Sequence, residues 1–126
     1  MKNLRNSLLF LSLAAFGACG SDGGSTANSG IEPTRQASTL DAAEQTTLCE
    51  ATTEAQGGAG QTFDCGDDVT VTVPTVAECQ EDFASFADCD ITVGDIEDCA
   101  SAVDDPCDFG AILQSAACEK LFACAE

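Results

Sequence analysis

Sulfur and carboxylate are the chemically active groups of this chain. Its 126 residues include nine cysteines and 22 Asp or Glu, with no His, Trp or Tyr. The cysteines divide as one plus eight. Cys19 stands alone near the amino terminus; Cys49, Cys65, Cys79, Cys89, Cys99, Cys107, Cys118 and Cys124 are spread through the rest. A nucleophilic thiol needs a base beside it, and the imidazole that most often serves is missing. Redox pairs use C-x-x-C, which does not occur; the closest pair, Cys118 and Cys124, is separated by five residues. Structural zinc knuckles use about two to four intervening residues, so the spacing does not suit zinc. Disulfide formation is the remaining chemistry. The eight later cysteines are therefore read as four bridges. The spacings leave the connectivity open, although antiparallel packing of two neighbouring helices could bring Cys79 to Cys107.

The carboxylates raise two further chemistries. Asp88-Cys89-Asp90-Ile91-Thr92-Val93-Gly94 invites a calcium-loop reading, but the register fails. The sixth position, which should be Gly, is Val93, and the twelfth, which should be a bidentate Glu, is Cys99. Irregular calcium sites at Asp64/Asp67/Asp68 or at Asp104/Asp105/Asp108 are the alternative to solvated turn and cap residues. Paired carboxylates can also cleave glycosides, but no aromatic-lined sugar cleft is evident in a chain whose aromatic residues are all Phe. The expectation is no catalytic residue, no resident metal and no cofactor.

Cys19 has a different setting. Lys2 and Arg5 precede an apolar run, Leu8 to Phe16, broken only by Ser12, and Gly17 and Ala18 lead into Cys19. The run is far shorter than the roughly 20 residues of a membrane-spanning helix. Residues 1–18 therefore read as an export signal. The Phe16-Gly17-Ala18-Cys19 junction resembles the lipobox of bacterial lipoproteins, departing from it at Phe16 where Leu is usual. The resemblance implies cleavage before Cys19 and acylation of its thiol, with attachment to the membrane through that lipid. The competing reading is an ordinary secretory signal cut near Ala15-Phe16-Gly17. Gly20 after the cysteine is not the aspartate that retains some lipoproteins in the inner membrane, which points to the outer membrane.

Export would supply the oxidising compartment that disulfides need. Cleavage would also remove Lys2 and Arg5. That leaves Arg35 and Lys120 against 22 carboxylates, so the formal net charge would move from −18 to −20. Such a surface repels nucleic acid and anionic head groups. Residues 20–37 are rich in Gly, Ser, Thr and Asn without apolar periodicity, and read as a flexible tether (19–37 with its cysteine) reaching about 20–25 Å.

The folded part, 38–126, has to position the eight cysteines. A first helix is predicted from an N-cap at Ser38, with Asp41 at the third helical position and a weak apolar stripe of Leu40, Ala43, Leu48, Ala51 and Ala55, Cys49 beside it. Gly57-Gly58-Ala59-Gly60 ends it. Phe63 and Cys65, then the alternation Val69, Val71, Val73, predict a β-hairpin with Gly66-Asp67 in a type II′ turn. Thr75 and Glu78 form a capping box for a helix running to about Cys89, on spacings of Val76, Cys79, Phe83 and Phe86. Thr92 and Asp95 repeat that chemistry, and Asp104-Asp105-Pro106 stops the helix they start. A last helical segment covers Phe109 to Cys124, with a break near Ser115 and an apolar face including Ile112, Leu113, Leu121 and Phe122. The two Thr-Val arms resemble each other as a weak duplication. The fold class is mainly α: a small disulfide-stapled domain of about four helices with one hairpin. Its core is thin, so the bridges, at about 2–4 kcal/mol each, decide whether it folds.

The pattern Thr75-Val76-Ala77-Glu78-Cys79, Cys89-Asp90-Ile91-Thr92-Val93-Gly94-Asp95, Asp105-Pro106-Cys107 and Cys118-x5-Cys124 is similar to the small cysteine-rich lipoproteins of myxobacteria and their relatives. The resemblance implies an exported envelope lipoprotein and carries no activity with it. Signal, anchor and staples together lead to the expectation of a lipid-anchored, non-enzymatic binding or structural module. A calcium-dependent adhesion component and an unanchored secreted effector are the competing readings. No particular protein partner is indicated.

Overall fold

A computed structural model describes residues 26–124; the signal segment, Cys19 and the first part of the tether lie outside the described residues. Five α-helices and one hairpin follow in chain order: α1 (Ala42–Ala55), β1 (Thr62–Asp64), β2 (Thr70–Thr72), α2 (Val76–Asp82), α3 (Val93–Ser101), α4 (Phe109–Gln114) and α5 (Ala116–Cys124). The predicted mainly helical, disulfide-stapled class with one hairpin is what the chain adopts. Helices α2 and α3 each pack on α1, and α5 lies against α3.

Three capping boxes set the helix starts. At α2, Thr75 Oγ1 accepts from the Glu78 amide and Glu78 accepts from the Thr75 amide; Thr92 and Asp95 do the same for α3. The third box corrects the sequence reading. Ser38 does not cap α1: it lies in a 3-10 turn, Ala37–Thr39, and the cap is Asp41, paired with Glu44. Ser38 has an acid at the same spacing, but Leu40 is extended, so no helix runs on from Ser38, and the reciprocal box closes between Asp41 and Glu44 instead. The buried face of α1 also differs from the predicted apolar stripe. Leu48, Cys49, Thr52, Thr53 and Ala55 are buried in α1, while Ala43 is exposed. The buried threonines donate back to the Cys49 carbonyl, at 3.2 Å from Thr52 and 2.7 Å from Thr53, so no lone hydroxyl is left inside.

The helix after Thr75 is shorter than predicted. It passes at Phe83 into a 3-10 turn, Phe83–Phe86, whose two rings meet edge to face. The break at Ser115 falls where the spacing placed it, separating α4 from α5. In the hairpin Phe63 faces Val71, and Cys65 bonds across to Val69. That register leaves three residues in the loop, not the two of a type II′ turn. Gly66, Asp67 and Asp68 all take positive φ, a region Asp tolerates better than most residues.

The core gathers Ala37, Leu40, Leu48, Cys49, Phe83, Ile91 and Val93, with Cys79, Cys89 and Cys124 packed against it. All eight later cysteines pair: Cys49–Cys79, Cys65–Cys107, Cys89–Cys124 and Cys99–Cys118. The expected Cys79–Cys107 pairing does not form. Packing of α1 on α2 brings Cys79 to Cys49, with 5.8 Å between their Cα atoms, and Cys107 closes on the hairpin instead.

The tether boundary also moves. Residues 27–37 form an arm that runs along α3 from its carboxyl end to its amino end. The Ala27 amide donates to Ser101 Oγ at 2.8 Å, and Ser29 donates to Glu97 through its amide and its hydroxyl. Further on, the Gly94, Val93 and Ala37 amides donate to the Pro33, Arg35 and Ile91 carbonyls. Periodicity misses this arm because backbone groups and small side chains dock it, Ala27 packing with Ala55 and Ala100.

Candidate functional site

The largest exposed apolar side chains are not scattered. Among the described residues they are Val69, Phe109, Leu113 and Phe122, and the last three line a single groove of about 430 Å³. It is lined by Cys99 of α3 and Val103 just beyond it, by Val71 of β2 with Val73 and Pro74 that follow the strand, and by Ile112 and Leu113 of α4 with Phe122 of α5. A smaller depression continues it past Val103 and Pro106 to Phe63, Glu54 and Asp104. A second continues past Pro74 and Cys99 to Phe86 and Asp82.

The groove exists because α4 has nothing to bury itself in. This six-residue helix contains no buried residue and packs mainly on α5. Its amino end is capped by Asp108, whose carboxylate accepts from the Ala111 amide at 2.9 Å. The Cys65–Cys107 bridge fastens its start to the hairpin, and Cys99–Cys118 fastens α5 to α3 beneath it. The four bridges thus fall into two pairs. Cys49–Cys79 and Cys89–Cys124 lie in the core, whereas Cys65–Cys107 and Cys99–Cys118 fasten the elements that line the groove. Leu113 and Phe122 belong to the apolar face that the spacing predicts for the last helical segment. Their helical spacing looks the same whether the face is covered by the chain or left open.

The sequence-predicted acidic sites are not brought together. Asp64 accepts from the Gly66 amide at 3.0 Å, and Asp105 accepts from the Cys107 amide at 2.9 Å, both as turn-forming contacts. Among the described residues no three His, Cys, Asp or Glu side chains converge as a metal site requires. A depression of about 410 Å³ between α3 and α5 has Asp95, Asp98, Glu119 and Lys120 around it, but Lys120 is held by Asp95 at 2.8 Å.

The perturbed ionisable groups belong to caps and ion pairs, not to the groove. The Lys120 ammonium holds the Asp95 carboxyl below its ordinary value, and Asp95 raises Lys120 in return. The Arg35 guanidinium, bonded to both carboxylate oxygens of Glu44, lowers Glu44 and is itself raised. The Thr75 amide lowers Glu78. Each shift stabilises a charged form already present at neutral pH; none prepares an acid or base for proton transfer. What the groove can do chemically is exclude water from apolar matter. Covering the exposed parts of Phe109, Leu113 and Phe122 would contribute about 3 kcal/mol in all.

Compared with family models, with curated proteins and with solved structures, the chain matches none.

Proposed function

We propose that this protein is a lipid-anchored module of the cell envelope that binds its ligand in the groove between the hairpin and α4–α5, without catalysis. One observation carries the binding reading: Phe109, Leu113 and Phe122 converge on one concavity while the rest of the surface is rich in carboxylates. The anchor reading rests on the signal layout, on Cys19, and on the even pairing of the remaining cysteines, which leaves Cys19 as the odd one. A neutral environment-sensitive dye such as Nile red tests the groove. It should bind saturably and lose binding in Leu113→Asp, a substitution at a side chain 68% exposed and so without cost to the core. Val69→Asp, outside the groove, should leave dye binding intact. Equal dye binding by both variants would remove the reading. Palmitate labelling of the wild-type chain, absent in Cys19→Ala, tests the anchor.

A further inference from the structure

We infer that the groove receives a cationic amphipathic helix of a partner protein, one that carries Lys or Arg beside its apolar anchors. The inference rests on the groove being a binding surface and names the chemistry of its occupant. Charge makes the choice. The depressions that continue the groove are lined by Glu54 and Asp104 in one case and Asp82 in the other, and Asp105 and Asp108 precede its lining residues Pro106 and Phe109 in the chain. No cation lines it or either continuation. The cations among the described residues, Arg35 and Lys120, are engaged by Glu44 and Asp95 elsewhere.

Three other occupants meet this geometry badly. A second copy brings the same acidic surface and the same rim, so the two would repel. A fatty acid or an anionic lipid would set its head group against Glu54, Asp104 or Asp82. A neutral apolar ligand would gain only the modest apolar contribution, which alone leaves binding weak. An amphipathic helix with basic flanks meets both parts of the site. Its apolar stripe covers Phe109, Leu113 and Phe122, as in helix-in-groove recognition, and its cations face the rim. Opposite charge at the rim also speeds encounter, in a salt-dependent way.

The test uses the oxidised full chain carrying Cys19→Ala, so that no acyl chain competes, at about 0.15 M salt. The probes are Nile red, a Leu/Lys amphipathic peptide of about 18 residues, which is five helical turns, and its Leu/Glu counterpart. The Leu/Lys peptide should displace the dye at a concentration at least about tenfold below that of the Leu/Glu peptide, and Leu113→Asp should weaken it by about tenfold or more. Glu54→Gln/Asp104→Asn should narrow the gap between the peptides, and Val69→Asp should not. Peptide binding indifferent to Leu113→Asp would mean bulk charge attraction and would overturn the proposal. So would displacement of the dye by palmitate in preference to the Leu/Lys peptide, or a dimer in sedimentation that Leu113→Asp dissociates. Dye bound in the groove but displaced by neither peptide would sink the cationic occupant and leave the groove's role standing. No binding of dye or peptide would remove both.

Discussion

Asp95 holds two structures together. Its carboxylate accepts from the Thr92 amide and hydroxyl, each at 2.9 Å, which starts α3, and it receives Lys120 Nζ from α5 at 2.8 Å. Lys120 is about half exposed, so solvent and salt screen the ion pair, and the capping box is the larger part of what Asp95 contributes. The pH dependence follows from the direction of the shift. Lys120 keeps the folded carboxyl below its unfolded value of about 4, so this stability is complete above that value and is lost as pH falls through the folded one. Glu44 and Glu78 are lowered too and act in the same direction. Acid also relieves the repulsion among the many other carboxylates, so the comparison of variants isolates the contact: Asp95→Asn, which cannot titrate there, should melt below the wild type at neutral pH, and the gap should narrow below about pH 4. Parallel acid limbs for the two proteins would contradict this. In the core, Leu48 has no exposed surface, and Leu48→Ala should cost about 2–5 kcal/mol by denaturant titration, against little for Leu113→Ala at the open groove.

The arm at 27–37 and α3 make a stricter test of packing. Gly94 lies in the first turn of α3, where exchanging Gly for Ala ordinarily stabilises a helix by up to about 1 kcal/mol. Here an added methyl would meet Pro33 Cβ and the Pro33 carbonyl oxygen at 3.1 Å, and that carbonyl is held by the Gly94 amide itself. Gly94→Ala should destabilise by about 1 kcal/mol; a gain in melting temperature would mean that the arm yields freely. The bridges should separate by role. Cys65→Ala/Cys107→Ala should keep the far-ultraviolet helical signal and a cooperative melt while losing dye binding, because this pair fastens elements that line the groove. Cys49→Ala/Cys79→Ala removes the bridge of the fully buried Cys49 to a cysteine packed on the core and should cost more, about 2–5 kcal/mol. Local chemistry was legible in the sequence at this scale. The capping boxes at Thr75 and Thr92, the presence of the hairpin though not its register, and the Ser115 break each depend on residues close in the chain. Features that depend on distant residues were not. Cys79 chose Cys49 over Cys107 because of how α1 packs, the arm docks through its backbone, and the groove is an apolar face that the fold leaves uncovered.

For the whole molecule, charge and sulfur set the terms. With 22 carboxylates against four cations in the full sequence, self-repulsion works against the folded state and outweighs the two ion pairs described. Raising salt from about 0.01 M to about 1 M shortens the screening length from about 30 Å to about 3 Å, and at neutral pH it should raise the melting temperature by about 4 °C or more. A fall would mean that the ion pairs dominate. A thin core under this repulsion is what four bridges would offset. In the proposed reading every cysteine is assigned to anchoring or stapling, which leaves the groove to do the recognition. Intact mass of the native purified protein, before and after reduction, tests that assignment most directly. The account predicts a chain beginning at Cys19 that carries the mass of its acyl groups, takes up no alkylating agent before reduction, and gains two hydrogens for each of four bridges on reduction. An unacylated mass, or a thiol among the eight later cysteines alkylated without reduction, would contradict it.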